Sequence, residues 1–172
     1  GGDGSFCAIS PGRQHYYFSR QQARMVKATV DGNGLWTAYR RIDPIGMKKQ
    51  DYLFINPFLL DPNNANIMYM AGDNRVWRNH DLSAIALNNA YDSISTNWTA
   101  FPDTVPFADG KVTALAVTKI PAHRLYYGTN KRKLFRVNKA NLTTTPLDIT
   151  GTLSPNVFPS SAYINCIAVD PN

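Results

Sequence analysis

The sequence contains no glutamate: all 12 acidic residues among its 172 are aspartates, against 18 lysines and arginines. Glutamate is a good helix former, whereas the 12 Asp, 16 Asn, 11 Gly and 11 Pro favour turns. Helices are therefore expected to be scarce. Long hydrophobic runs are missing as well, since stretches such as 114–117 hold only a few apolar residues, far below the ~20 that a membrane-spanning helix needs. No membrane insertion is expected. The opening Gly1-Gly2-Asp3-Gly4 does not resemble a signal peptide, so any targeting segment is expected outside this stretch, which reads as an excerpt.

Cysteine is nearly absent. Cys7 and Cys166 stand 159 residues apart, without the C-x-x-C spacing of a structural zinc or redox site. Their apolar contexts, Phe6-Cys7-Ala8-Ile9 and Asn165-Cys166-Ile167-Ala168, read as two small buried hydrophobes on equivalent strands, with a disulfide between them left open. His15, His80 and His123 have no partner at metal-ligand spacing and read as isolated turn or strand-edge residues. No Gly-rich phosphate loop and no Ser-His-Asp order occurs, so neither a metal nor a cofactor is implied. The net charge of +6 comes from dispersed basic residues, the densest being Lys131-Arg132-Lys133. Such scatter reads as solvated surface and not as a nucleic-acid stripe.

Aromatic residues are plentiful, with nine Tyr, eight Phe and three Trp. They prefer half-buried pleated surfaces, which points to an all-β domain of short strands. An internal repeat organises them. Phe6-Cys7-Ala8-Ile9-Ser10-Pro11, Phe58-Leu59-Leu60-Asp61-Pro62, the stretch from Leu115 to Pro121 and Cys166-Ile167-Ala168-Val169-Asp170-Pro171 each run an apolar strand into a proline. The prolines are separated by 51, 59 and 50 residues. Each of the first three is followed by a second apolar strand (Tyr16-Tyr17-Phe18, Ile67-Met68-Tyr69-Met70, Arg124-Leu125-Tyr126-Tyr127), a tight turn and an alternating third strand. A fourth strand closes each unit: Trp36-Thr37-Ala38-Tyr39, Trp98-Thr99-Ala100-Phe101 and the degenerate Pro146-Leu147-Asp148-Ile149. Four strands in about 50 residues is the blade of a β-propeller. The expected architecture is three blades, near 5–43, 52–105 and 111–151, plus the first strand of a fourth at 163–172. Closed propellers need about four to eight blades, so the remaining blades of a larger ring are expected in the same parent polypeptide.

Thr29-Val30-Asp31-Gly32-Asn33-Gly34-Leu35-Trp36 resembles the Asp-box, or bacterial neuraminidase (BNR) repeat, which marks the hairpin between a blade's third and fourth strands. The strand ending Ala168-Val169-Asp170-Pro171-Asn172, the opening glycines and Leu125-Tyr126-Tyr127-Gly128-Thr129 are similar to secreted BNR-type propellers, particularly cell-surface proteins of Bacteroidetes. The resemblance implies a BNR-like propeller in a superfamily of sialidases, xyloglucanases and sortilin-like receptors, located outside the cell. Within it, Thr29, Asp31, Gly34 and Trp36 take structural roles: the carboxylate accepts backbone N–H groups in the turn and the tryptophan packs between blades. A sialidase needs a Tyr nucleophile assisted by Glu, which a chain without Glu does not supply.

Two functional readings remain. The first is a secreted or cell-surface module for binding or scaffolding, with a polysaccharide or protein partner. Its contacts are expected on the long segments 36–52 and 82–98, where Tyr39, Tyr52 and Tyr91 are the candidates for stacking on a sugar. The segment 82–91 has room for one helical turn. The second reading is a fragment of a xyloglucanase-like glycoside hydrolase, which requires two carboxylates. Asp43 and Asp103 are its candidates, with Asp51 behind them, although Asp43-Pro44 and Pro102-Asp103 equally read as turn formers. Asn97-Trp98-Thr99 and Asn141-Leu142-Thr143 are sequons that do not separate the two.

Overall fold

The computed structural model describes residues 2–102, 110–152, 158–159 and 161–170. Twelve strands form three four-stranded sheets, each with its strands in sequence order and all pairs antiparallel. The first sheet contains β1 (Gly4–Ile9), β2 (Tyr16–Arg20), β3 (Arg24–Val30) and β4 (Trp36–Arg41). β5 (Phe58–Asp61), β6 (Asn64–Gly72), β7 (Arg75–Asn79) and β8 (Trp98–Ala100) make the second. The third has β9 (Val112–Thr118), β10 (Arg124–Thr129), β11 (Leu134–Val137) and a two-residue β12 (Leu147–Asp148). Among the described residues there is no α-helix, only four single 3-10 turns. One of them, Leu82–Ala84, lies where the sequence leaves room for a helical turn.

The second sheet is buried on both faces, which its central strand makes possible. β6 carries apolar residues at consecutive positions, so alternate side chains serve opposite neighbours. Ile67, Tyr69 and Ala71 join Val112, Leu125, Tyr127 and Phe135 of the third sheet in one core. Met68 and Met70 join Tyr17, Met25 and Ile42 of the first sheet in the other. The first strands adjoin one another: β1 packs against β5, and β5 against β9.

One register recurs in all three sheets. A tyrosine on the second strand lies directly opposite a cation on the third: Tyr17 against Lys27, Tyr69 against Arg78, Tyr126 against Arg136. In the first two sheets the cation is buried and donates to backbone carbonyls in the loop between the third and fourth strands of the next sheet. Lys27 Nζ donates to Leu82 O (2.8 Å) and Ile85 O (3.1 Å). Arg78 Nη1 donates to Ala140 O (2.6 Å) and Thr143 O (3.2 Å). A buried cation without acceptors costs several kcal/mol, so each pair both requires and fixes its neighbour. The burial of Lys27 holds its pKa below the ordinary lysine value, against the opposing pull of Asp81. A further cross-sheet tie is the fully buried Asp61 carboxylate, which accepts from Tyr69 OH (3.2 Å) and from Asn63, and lies 2.9 Å from His123 Nδ1.

Several expectations are corrected. Residues 163–170 form no strand. They lie against the third sheet, Ile164 N–H donating to Thr129 O (3.1 Å). A Cβ on Gly128 would come within 2.3 Å of the Ile164 side chain, so the close approach requires glycine there. Cys7 and Cys166 are exposed free thiols and not buried hydrophobes, because no second sheet covers either among the described residues. His123 is not isolated, since the fold brings it to Asp61 from 62 residues away. Trp36 is 53% exposed and stacks on Phe18 (5.7 Å, 15°) in its own sheet, with no second sheet over it among the described residues.

Removing the side chain of Met70, which is fully buried between the first two sheets, leaves a cavity where two sheets meet. Met70→Ala is expected to lower unfolding stability by about 2–5 kcal/mol, measured by denaturant titration.

Candidate functional site

The two long segments meet at the outer edge of the first sheet. Residues 89–94 run beside 39–45 in the same direction: Asn89 N–H donates to Tyr39 O (2.8 Å), Arg41 N–H to Ala90 O (3.1 Å), Ile94 N–H to Asp43 O (3.0 Å) and Ile45 N–H to Ile94 O (3.0 Å). Pro44 and Ile94 form a parallel bridge. Asn89 Oδ1 also accepts Tyr39 N–H (3.0 Å). A segment of the second repeat thus satisfies edge groups of β4 that would otherwise lie open. This pairing brings Tyr39, Asp43 and Tyr91 into one region, and the loop through 49–58 adds Tyr52.

Each candidate has a defined place there. Asp43 is buried, and its carboxylate accepts from Arg41 Nε (2.7 Å), Arg41 Nη2 (2.8 Å) and Met25 N–H (3.2 Å). That bidentate hydrogen bond holds the Arg41 pKa above the usual arginine value, against the opposing effect of burial. Tyr91 is 43% exposed, with the guanidinium carbons of Arg20 and Arg41 at 5.5 and 5.7 Å from its ring centroid. Tyr39 stays bound to its edge partner and tilts against Trp36 at 5.9 Å. Asp51 accepts Lys48 N–H (2.7 Å) at the start of the 3-10 turn Lys49–Asp51. Asp103 lies outside the described residues. The turn at Asp31 is closed by its own carboxylate, which accepts Asn33 N–H and Leu35 N–H, both at 2.9 Å. Thr29 Oγ1 lies 2.8 Å from Thr37 Oγ1 across the same hairpin, and Gly34 takes the positive φ of 79° that the turn demands.

Tyr52 is the exceptional member. It is 7% exposed, and its hydroxyl is buried with no hydrogen-bond partner among the described residues. Burial raises its pKa first, and the charge of Asp43 adds to that. Tyr52 and Asp43 line one small cavity of about 160 Å3 together with Arg24, Arg41, Lys49 and Ser93. A neighbouring cleft of about 330 Å3 is bordered by Phe18, Arg20, Arg24, Trp36 and Tyr91, so Arg24 belongs to both. The cations of this region were not singled out in the sequence. Arg40 and Arg41 belong to the dispersed basic residues that read as solvated surface, and nothing local shows that Asp92, 52 residues away, will be the partner of Arg40.

No family model matches the chain, and no curated protein matches it.

Asp43→Ala is expected to cost about 2–3 kcal/mol, because it leaves Arg41 and Met25 N–H without their acceptor, and Asp43→Asn to cost less; chemical unfolding measures both. Buried tyrosines set an alkaline limit. Burial pushes the Tyr17 pKa up to about 12, and Tyr69 is raised by burial and then by Asp61. The unfolded chain therefore releases these protons first, so the stability present below pH ~10 falls as the pH rises toward 12. Unfolding midpoints recorded across that range check the sign.

Proposed function

We propose that the chain is a set of consecutive blades of a BNR-like β-propeller and serves as a binding module, secreted or on the cell surface, that takes a polysaccharide. The propeller reading is supported by the sequential antiparallel sheets, the adjacency of β1, β5 and β9, and above all by the repeated tyrosine–cation pair. Arg136, the third member, points the same reasoning outward. Its Nε is buried without a partner among the described residues, and it borders an open depression with Tyr126, Leu134 and Ile149. That depression suits the seating of a further blade.

A propeller commits its strands to packing and leaves recognition to loops. The loop region built by 39–45, 49–52 and 89–94 is where the candidates converge, and one observation carries its role. The Tyr91 ring is 43% exposed, with the guanidinium carbons of Arg20 and Arg41 at 5.5 and 5.7 Å from its centroid, and it borders the 330 Å3 cleft. An exposed aromatic ring at the border of a cleft is suited to stack on a pyranose ring. Asp43 takes a structural part in this reading, because its lone pairs are committed to Arg41 and Met25.

Affinity electrophoresis in gels containing polysaccharide tests the assignment. Tyr91→Ala is expected to abolish retardation with an unchanged unfolding midpoint, while Tyr163→Ala, at an exposed aromatic outside the cleft, keeps it. Retardation that survives Tyr91→Ala overturns the site.

A further inference from the structure

Resting on that reading, we infer that the small cavity beside Tyr91 is an oxyanion pocket, so the polysaccharide recognised is an acidic one whose carboxylate or sulfate group seats against Tyr52, Arg24 and Lys49. The cavity is polar by construction. Two hydroxyl-bearing side chains, Tyr52 and Ser93, and three cations, Arg24, Arg41 and Lys49, line it, against the single carboxylate of Asp43. The Arg41 guanidinium is bound through two nitrogens to that carboxylate, so the pair is neutral together. Counted with Arg24 and Lys49, the lining side chains carry a formal excess of two positive charges. Asp51, the nearest other acid in sequence, has its carboxylate on Lys48 N–H and is not among the lining residues.

The Tyr52 hydroxyl supplies the independent observation. A phenol that is more than nine-tenths buried normally has a hydrogen-bond partner, and leaving one unmade costs about 1–3 kcal/mol. An acceptor that reaches the hydroxyl from the cavity relieves this cost, and an anionic acceptor at the same time meets Arg24 and Lys49, which have no ion-pair partner among the described residues. Size agrees. About 160 Å3 equals roughly five water volumes at ~30 Å3 each, enough for a carboxylate or sulfate group but not for a whole sugar ring. The ring has its place in the adjoining cleft, and Arg24 borders both spaces, so one acidic residue can stack on Tyr91 and direct its acid group inward.

Calorimetry on the full chain at about 0.15 M salt, where long-range attraction by the net charge is screened, tests this with matched ligands. The pairs are polygalacturonate against its fully methyl-esterified form, and dextran sulfate against dextran. One acidic member is expected to bind about tenfold tighter than its neutral partner, and which pair shows the difference tells carboxylate from sulfate. Tyr52→Phe, which keeps the ring and removes only a hydroxyl that has no partner among the described residues, and Lys49→Gln are each expected to erase most of that preference without changing the binding of the neutral form. Lys119→Gln, at an exposed site elsewhere, is expected to leave it intact. Equal binding of acidic and neutral forms, or a preference unmoved by both variants, overturns the pocket. If no polysaccharide binds, the proposed function fails by itself, and titration with inorganic sulfate decides the pocket. Nuclear magnetic resonance shifts confined to residues near Tyr52 and lost in Tyr52→Phe support it, and their absence overturns it.

Discussion

The tyrosine–cation pair set across the second and third strands of each sheet is the constraint on which the remaining structure depends. Its two halves do different work. The tyrosine fills the space between sheets, as Tyr17 and Tyr69 show by their near-complete burial. The cation opposite must find acceptors once it is covered, and in the first two sheets it finds them on the loop of the next. Apolar contact alone tolerates sliding of one sheet over another, because the hydrophobic effect has no direction. A buried ammonium or guanidinium with two carbonyls does not, because displacement leaves a charge unsolvated. The pair therefore sets how each sheet sits on its successor.

That placement also builds the loop region. Lys27 anchors Leu82 and Ile85 at the start of the long segment of the second repeat, and Trp98 Nε1 donates to Ile42 O (2.7 Å) at its end. Between these two anchors the chain is free to lie along β4, where 89–94 finds the open edge. Asp43, Arg41 and Tyr91 meet because both ends of that segment are already fixed. The site is in this sense a consequence of sheet stacking, with charges arranged on a frame that the cores hold still.

Much of the framework was legible in the sequence because it is periodic. The four-strand repeat located eleven strands to within a few residues, and even the degenerate Leu147-Asp148 copy is a strand. The match of Trp98-Thr99-Ala100 with Trp36-Thr37-Ala38 marks equivalent fourth strands correctly. Their tryptophans nevertheless differ in environment, since Trp98 packs against a core that Trp36 lacks. Periodicity does not report what covers a strand. For the same reason Cys7 and Cys166 read as buried and are exposed. The partners of His123, Arg40 and Lys27 lie 62, 52 and 55 residues away in sequence, and no local spacing announces them. Tyr52 and Asp43 were visible as candidates, but the cations that give their cavity its sign became apparent only when three loops were brought together.

Hydrogen exchange of the Arg78→Met variant, compared residue by residue with the parent chain, tests the stacking role of the buried cations most directly. Among the described residues, Arg78 donates to carbonyls of the third sheet's loop and to none of the first sheet. The account predicts that protection falls chiefly in 138–143 and in β9 to β11, while β1 to β4 keep their parent rates. Protection lost evenly over all three sheets, or not lost at 138–143, would contradict it.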